Sequence, residues 1–197
     1  MQRNKLILLI GDVIIPILGY FFWNWNVYFI FLFLFLDLIS YNILYYYKHR
    51  KIQRFRDTSI NKALFTLHAS SLVITTTLLF VGYTYLFNSI QSTSYTTEIV
   101  AFFLYEDMGF AQGYILLPII IITALMTYKT EFILQGEFTR ISIQQLFIRY
   151  LRDNLAALCL LGLFLLLYFL NISSQALYFY LGILLFAVYK VVLLKRT

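Results

Sequence analysis

The sequence predicts an all-α fold, a polytopic bundle of six transmembrane helices, and three observations carry that prediction. Mean hydropathy is +0.80, and only 12% of the 197 residues are charged, against about 25% in a soluble domain. Apolar runs of about 20 residues, the length that crosses a bilayer, recur along the whole chain. All 15 lysines and arginines fall into four tracts that separate pairs of these runs. The ten-residue alternating segments of a membrane barrel are missing. Lipid offers backbone groups no hydrogen-bond partners, so each span is expected to be a helix.

The spans are expected at about 5–25, 27–47, 62–87, 108–128, 154–171 and 174–194, in a single integral membrane domain, 1–197. The first opens MQRNKLILL and runs on towards the second without a small-x-small cleavage site, so it reads as a retained span. Within it Asp12, Pro16, Gly19 and Trp23 share one helical stripe. Proline has no amide hydrogen, so Pro16 frees the carbonyl of Asp12. Gly19 lets another helix approach. The stripe is therefore expected to face protein, water or a cation rather than lipid.

The second span begins with FIFLFLFL, residues 29–36, apolar on every face, which implies lipid contact or tight packing. Asp37 follows near the bilayer centre, where a charged aspartate costs about 2.5–3.5 kcal/mol. It is expected to turn inward and be protonated or paired, with Ser40 and Tyr41 extending its face at i+3 and i+4. KHRKIQRFR, residues 48–56, follows the span as a basic juxtamembrane run. Attraction to anionic lipid, about 1 kcal/mol per basic residue, accounts for it without a nucleic-acid partner.

The third span brings His68, Ser71 and Thr75 to one face. EIVAFFLYEDM, residues 98–108, is apolar but too short to cross and is expected on the outer surface. After the fourth span, Ile143, Leu146, Phe147, Tyr150 and Leu151 oppose Gln144, Gln145, Arg149 and Arg152. That pattern predicts an amphipathic helix at about 142–152, resting at the headgroups. Cys159 in the fifth span is expected only to pack. Lys190, near the end of the sixth, is expected to snorkel. The aromatic belts expected from 17 Tyr and 20 Phe include Trp23 and Trp25, Tyr45 to Tyr47, and Tyr83 with Tyr85.

Topology follows from the basic tracts. The connections without Lys or Arg lie between spans one and two, three and four, and five and six, and the middle one carries Glu98, Glu106 and Asp107. The positive-inside rule then puts both termini in the cytoplasm, in the inner membrane of a cell, with anionic lipid at the cytoplasmic face.

Neither HExxH nor GxSxG occurs, nor a pair of aspartates spaced for two metal ions, so no catalytic residue and no cofactor is assigned. The leading expectation is a non-catalytic, membrane-embedded subunit or accessory protein with a membrane protein partner and a polar intramembrane centre. That centre would comprise Asp12, Asp37, His68, Ser40, Tyr41, Ser71, Thr75 and Lys190, with the helix break at Pro16 and Gly19. The alternative is a small proton- or cation-linked carrier using Asp12, Asp37 and His68 as its relay. A membrane-embedded enzyme with a carboxylate and histidine site ranks third, and whether such a site would take a metal is left open.

Pro16, Gly19 and Trp25, then Asp37 in the second span, His68 early in the third and Lys190 in the last, form a pattern of their own. It resembles an uncharacterised prokaryotic family of polytopic integral-membrane proteins, a domain of unknown function. The resemblance implies a membrane bundle and no particular activity.

Overall fold

The structure is a computed structural model that describes residues 13–23, 25–56, 62–91, 95–104, 112–172 and 174–196. Its helices are α1 (Val13–Phe22), α2 (Val27–Arg56), α3 (Lys62–Gln91), α4 (Tyr95–Leu104), α5 (Gln112–Thr127), α6 (Glu137–Arg140), α7 (Ile143–Phe169) and α8 (Gln175–Arg196). A π-helical segment, Tyr128–Leu134, continues α5. There is no strand among the described residues.

Four segments are long and apolar enough to cross a membrane: Val27–Arg56, Lys62–Ile90, Tyr114–Leu134 and Ile143–Phe169. The protein is thus an all-α membrane protein. Val13–Phe22 and Gln175–Val188, within the first and sixth expected spans, are shorter apolar helices. The short segment at 98–108 is described as far as Leu104, in α4.

Local chemistry sets the joints. Asn26 Oδ1 accepts the amide of Phe29 at 2.7 Å and caps α2. The α1–α2 hairpin closes where the Trp25 amide donates to the Gly19 carbonyl at 2.9 Å. A Cβ at Gly19 would overlap the Trp25 indole, so only glycine admits this approach. Gly136, at φ +67°, turns the chain between the π-helical segment and α6. Ser142 starts α7 with a capping box: its hydroxyl accepts the Gln145 amide at 3.1 Å, and Gln145 Oε1 accepts the Ser142 amide at 2.9 Å.

No glycine or proline follows that cap until Gly162, so the stretch expected at 142–152 and the fifth span form one continuous helix of 27 residues. Its apolar residues Leu146 and Tyr150 are buried in the bundle rather than laid on headgroups. The fourth span likewise ends later than the sequence suggests, at Leu134, because the π-helical turns carry it past residue 128.

Helix α2 is the axis. At 1.5 Å per residue its 30 residues extend about 45 Å, well beyond the hydrocarbon thickness of about 30 Å. It touches α3, α4, α5, α6, α7 and α8. Of the two alternatives for FIFLFLFL, tight packing holds: Phe29, Ile30, Leu32, Phe33 and Phe35 are buried. Around its Val27 end Phe31 stacks on Tyr83 at 4.2 Å, and Tyr20 on Phe179 at 3.9 Å ties α1 to α8. Around its other end a second apolar cluster joins Tyr45, Ile52, Leu72, Phe132, Leu146 and Tyr150. Trp25, Tyr45 and Tyr83 therefore belong to the core, whereas Tyr46, Tyr47 and Tyr85 are exposed as belt residues would be.

Candidate functional site: a polar clamp and an amphipathic cavity

Polar side chains enter the bundle on two sides of α2. Towards α3 and α7 they close on one another. Asn42 donates from Nδ2 to Thr76 Oγ1 and to Asn154 Oδ1, each at 3.1 Å. Asn154 returns a bond to Asn42 Oδ1 at 3.1 Å and donates to the Tyr150 carbonyl at 2.8 Å. This amide pair clamps three helices. Interhelical bonds of this kind hold membrane bundles together, each contributing about 0.6 kcal/mol on average.

One turn of α2 further on, the Tyr45 hydroxyl lies 2.8 Å from Nδ1 of His68, a hydrogen bond. The His68 ring stacks on Phe147 at 3.8 Å, with the planes 2° apart. Thr75, by contrast, bonds back to the carbonyls of Ser71 and Leu72 in its own helix, both at 3.0 Å. Ser71 Oγ is buried and has no hydrogen-bond partner among the described residues. Ser40 is half-buried on α2.

On its other side α2 walls a cavity of about 1050 Å³, at the upper end of ligand pockets in general. The sequence dictates its two halves. Along α2 the lining runs from Val27 to Lys48, about 30 Å at 1.5 Å per residue. Phe31 and Phe35 of α2, Leu160 and Phe164 of α7, and Phe179 and Ile183 of α8 make the greasy half. The charged half gathers Lys48, Glu131, Glu137, Arg140, Arg149, Arg152 and Asp153, because α7 packs with its arginine-bearing first turns beside the Lys48 end of α2. Asp37 and Tyr41 lie between the halves on the same wall.

Several of these charges are matched. Arg149 pairs with Glu137 across the α6–α7 joint. Arg152 lies 3.4 Å from Asp153. Lys48 differs: it is 5% exposed, and among the described residues it makes neither an ion pair nor a hydrogen bond. Its ammonium sits over three rings instead, 4.9 Å from the centroid of Tyr41, 5.5 Å from Phe132 and 5.6 Å from Tyr150. Each such contact contributes about 0.5–2 kcal/mol. Burying an ammonium costs several kcal/mol, so the rings offset that penalty without supplying a counter-charge.

The described members of the expected polar centre lie on both sides of α2. Asp37 and Tyr41 face the cavity, and Tyr41 stacks on Tyr150 at 4.5 Å. His68 is not part of the cavity wall, its Nδ1 being engaged by Tyr45. Pro16 is buried in α1. Asp12 lies outside the described residues, and Lys190 falls within α8. No group of three His, Cys, Asp or Glu that could hold a metal occurs among the described residues.

What sequence reasoning passed over is as telling. Asn42, Thr76 and Asn154 carry no charge and belong to no motif. Their one signal is that asparagine in an apolar span needs a partner. The basic run 48–56 has two faces rather than one: Lys48, His49, Ile52 and Gln53 are buried, at spacings of one and four, while Arg50, Arg54 and Arg56 are exposed. Arg56 reaches back to the Ile141 carbonyl at 2.9 Å. Comparison with protein-family models, with curated proteins and with solved structures gives no match. The cavity and the clamp are therefore read from their own chemistry.

Proposed function

We propose that this chain is a non-catalytic, multi-pass accessory protein of the inner membrane, a subunit of a larger assembly, that holds a membrane amphiphile in its cavity. One observation carries the reading: a single space joins a phenylalanine-lined half to a half set with charges of both signs. Water-soluble substrates have no use for the first half, and hydrocarbon has none for the second. The bilayer itself supplies molecules with both parts.

In this reading α1 and α8 complete six spans, both termini are cytoplasmic as the basic tracts imply, and the exposed Arg50 and Arg54 meet anionic headgroups. The pattern of Pro16, Gly19, Asp37 and His68 makes the chain a divergent relative of the uncharacterised membrane family that it resembles. A carrier is the second reading, favoured by one fact: Asp37 lines the same cavity.

Purification in a mild detergent followed by native mass spectrometry separates the two. Retention of a lipid-mass adduct, together with a stoichiometric membrane partner, supports the accessory reading. A bare, solitary chain whose pH-driven flux in liposomes is abolished by Asp37→Asn establishes the carrier and ends the proposal.

A further inference from the structure

We infer that Lys48 is the receptor for the phosphate of a membrane phospholipid whose acyl chains lie along the apolar half of the cavity. The inference rests on the amphiphile reading above and deepens it by naming the head group.

Eight charged residues line the cavity, and they differ in how their charge is met. Glu137 and Arg149 pair, as do Asp153 and Arg152. Arg140 is exposed, and Asp37 and Glu131 are half-buried. Lys48 is the one member of this set that is buried; its direct contacts are aromatic faces, and Glu137, Glu131 and Asp153 act on its charge through space without an ion pair. Tyr41, Phe132 and Tyr150 fix the direction of the ammonium without using its three N–H donors, since rings engage a cation through their quadrupole. An anion entering the cavity meets those donors already oriented, and a charge-assisted hydrogen bond made there is stronger than one at an open surface.

The rest of the wall selects what the anion is attached to. Along α2 from Lys48 the lining passes Tyr41 and Asp37 and then becomes Leu38, Phe35, Leu34 and Phe31, which offer nothing to a polar tail and a track to a hydrocarbon one. Arg140, Arg149 and Arg152 sit at the charged end, where the further oxygens of a phosphate have donors to reach. A phosphate diester carrying two acyl chains satisfies both halves at once. Free phosphate satisfies only the Lys48 end, and an uncharged glycolipid only the greasy one.

The test uses the whole chain in dodecyl maltoside, incubated separately with phosphatidylglycerol, with a diglucosyl diacylglycerol of the same acyl chains, and with inorganic phosphate, and read by native mass spectrometry. The expected result is one phosphatidylglycerol per chain, retained about tenfold better than the glycolipid. Inorganic phosphate gives no adduct. Lys48→Gln lowers phosphatidylglycerol to the level of the glycolipid and leaves glycolipid retention unchanged. Equal retention of the two lipids by the unaltered chain overturns the inference while the amphiphile reading stands, and this arm decides even where Lys48→Gln fails to fold. A folded Lys48→Gln chain that still prefers phosphatidylglycerol overturns it as well. An adduct with inorganic phosphate alone reassigns the site to a free anion. Retention of neither lipid removes the amphiphile reading and the inference together.

Discussion

The two sides of α2 treat buried polarity in opposite ways. On the side of α3 and α7, Asn42, Thr76 and Asn154 spend their amides and hydroxyl on one another, and Tyr45 meets His68. On the cavity side Lys48 is enclosed by rings and left with its hydrogen-bonding capacity intact. Groups that bond one another hold helices together and have little left for a ligand. An unsaturated charge weakens the fold and keeps its capacity for something that arrives. On the reading proposed above, the first side supplies cohesion and the second binding.

Breaking the clamp is expected to have the largest effect. Asn154→Leu deprives Asn42 of both bonds of the amide pair and leaves it the Thr76 hydroxyl alone, which lowers stability by about 1 kcal/mol or more. Thermal unfolding in detergent measures this, and the double change of Asn42 and Asn154 to leucine should cost less than the sum of the single ones. Lys48→Met should act in the opposite direction. Replacing an unpaired buried ammonium by a thioether of similar length raises stability by about 1 kcal/mol in the same assay, while phospholipid retention falls. A chain that loses stability on that change would place Lys48 with the clamp and erase the contrast between the sides. Tyr45→Phe gives the smallest effect, about 0.6 kcal/mol for one interhelical bond, and should leave lipid retention untouched.

How much of this was readable from residues alone depends on which physical contrast wrote the signal. Water against lipid is a large contrast, and hydropathy with the placement of Lys and Arg revealed an all-α membrane protein. Lipid against protein is almost none, since both are apolar. Phe33 and Ile74 look alike in the sequence, yet the first is in the core and the second is 65% exposed. The clamp was obscured because asparagine carries no charge to mark it. Lys48 was obscured for the converse reason: a lysine at the end of an apolar run ordinarily reaches for headgroups. It is buried here because α2 continues for two more turns and α6, α7 and the π-helical segment close around it. Depth singled out Asp37 and spacing Tyr41, and both line the cavity. Spacing also singled out His68, which lies on the clamped side.

The π-helical segment Tyr128–Leu134 contributes Phe132 to the seat of Lys48 and Glu131 to the neighbouring wall. Such wide turns amount to an ordinary helix carrying one surplus residue. Loss of a single codon there would let the coil tighten to an ordinary α-helix, redrawing the short stretch of wall on which the phenylalanine and the glutamate sit. The seat of Lys48 is thereby tunable by insertion and deletion, a coarser and quicker dial than exchanging side chains one at a time.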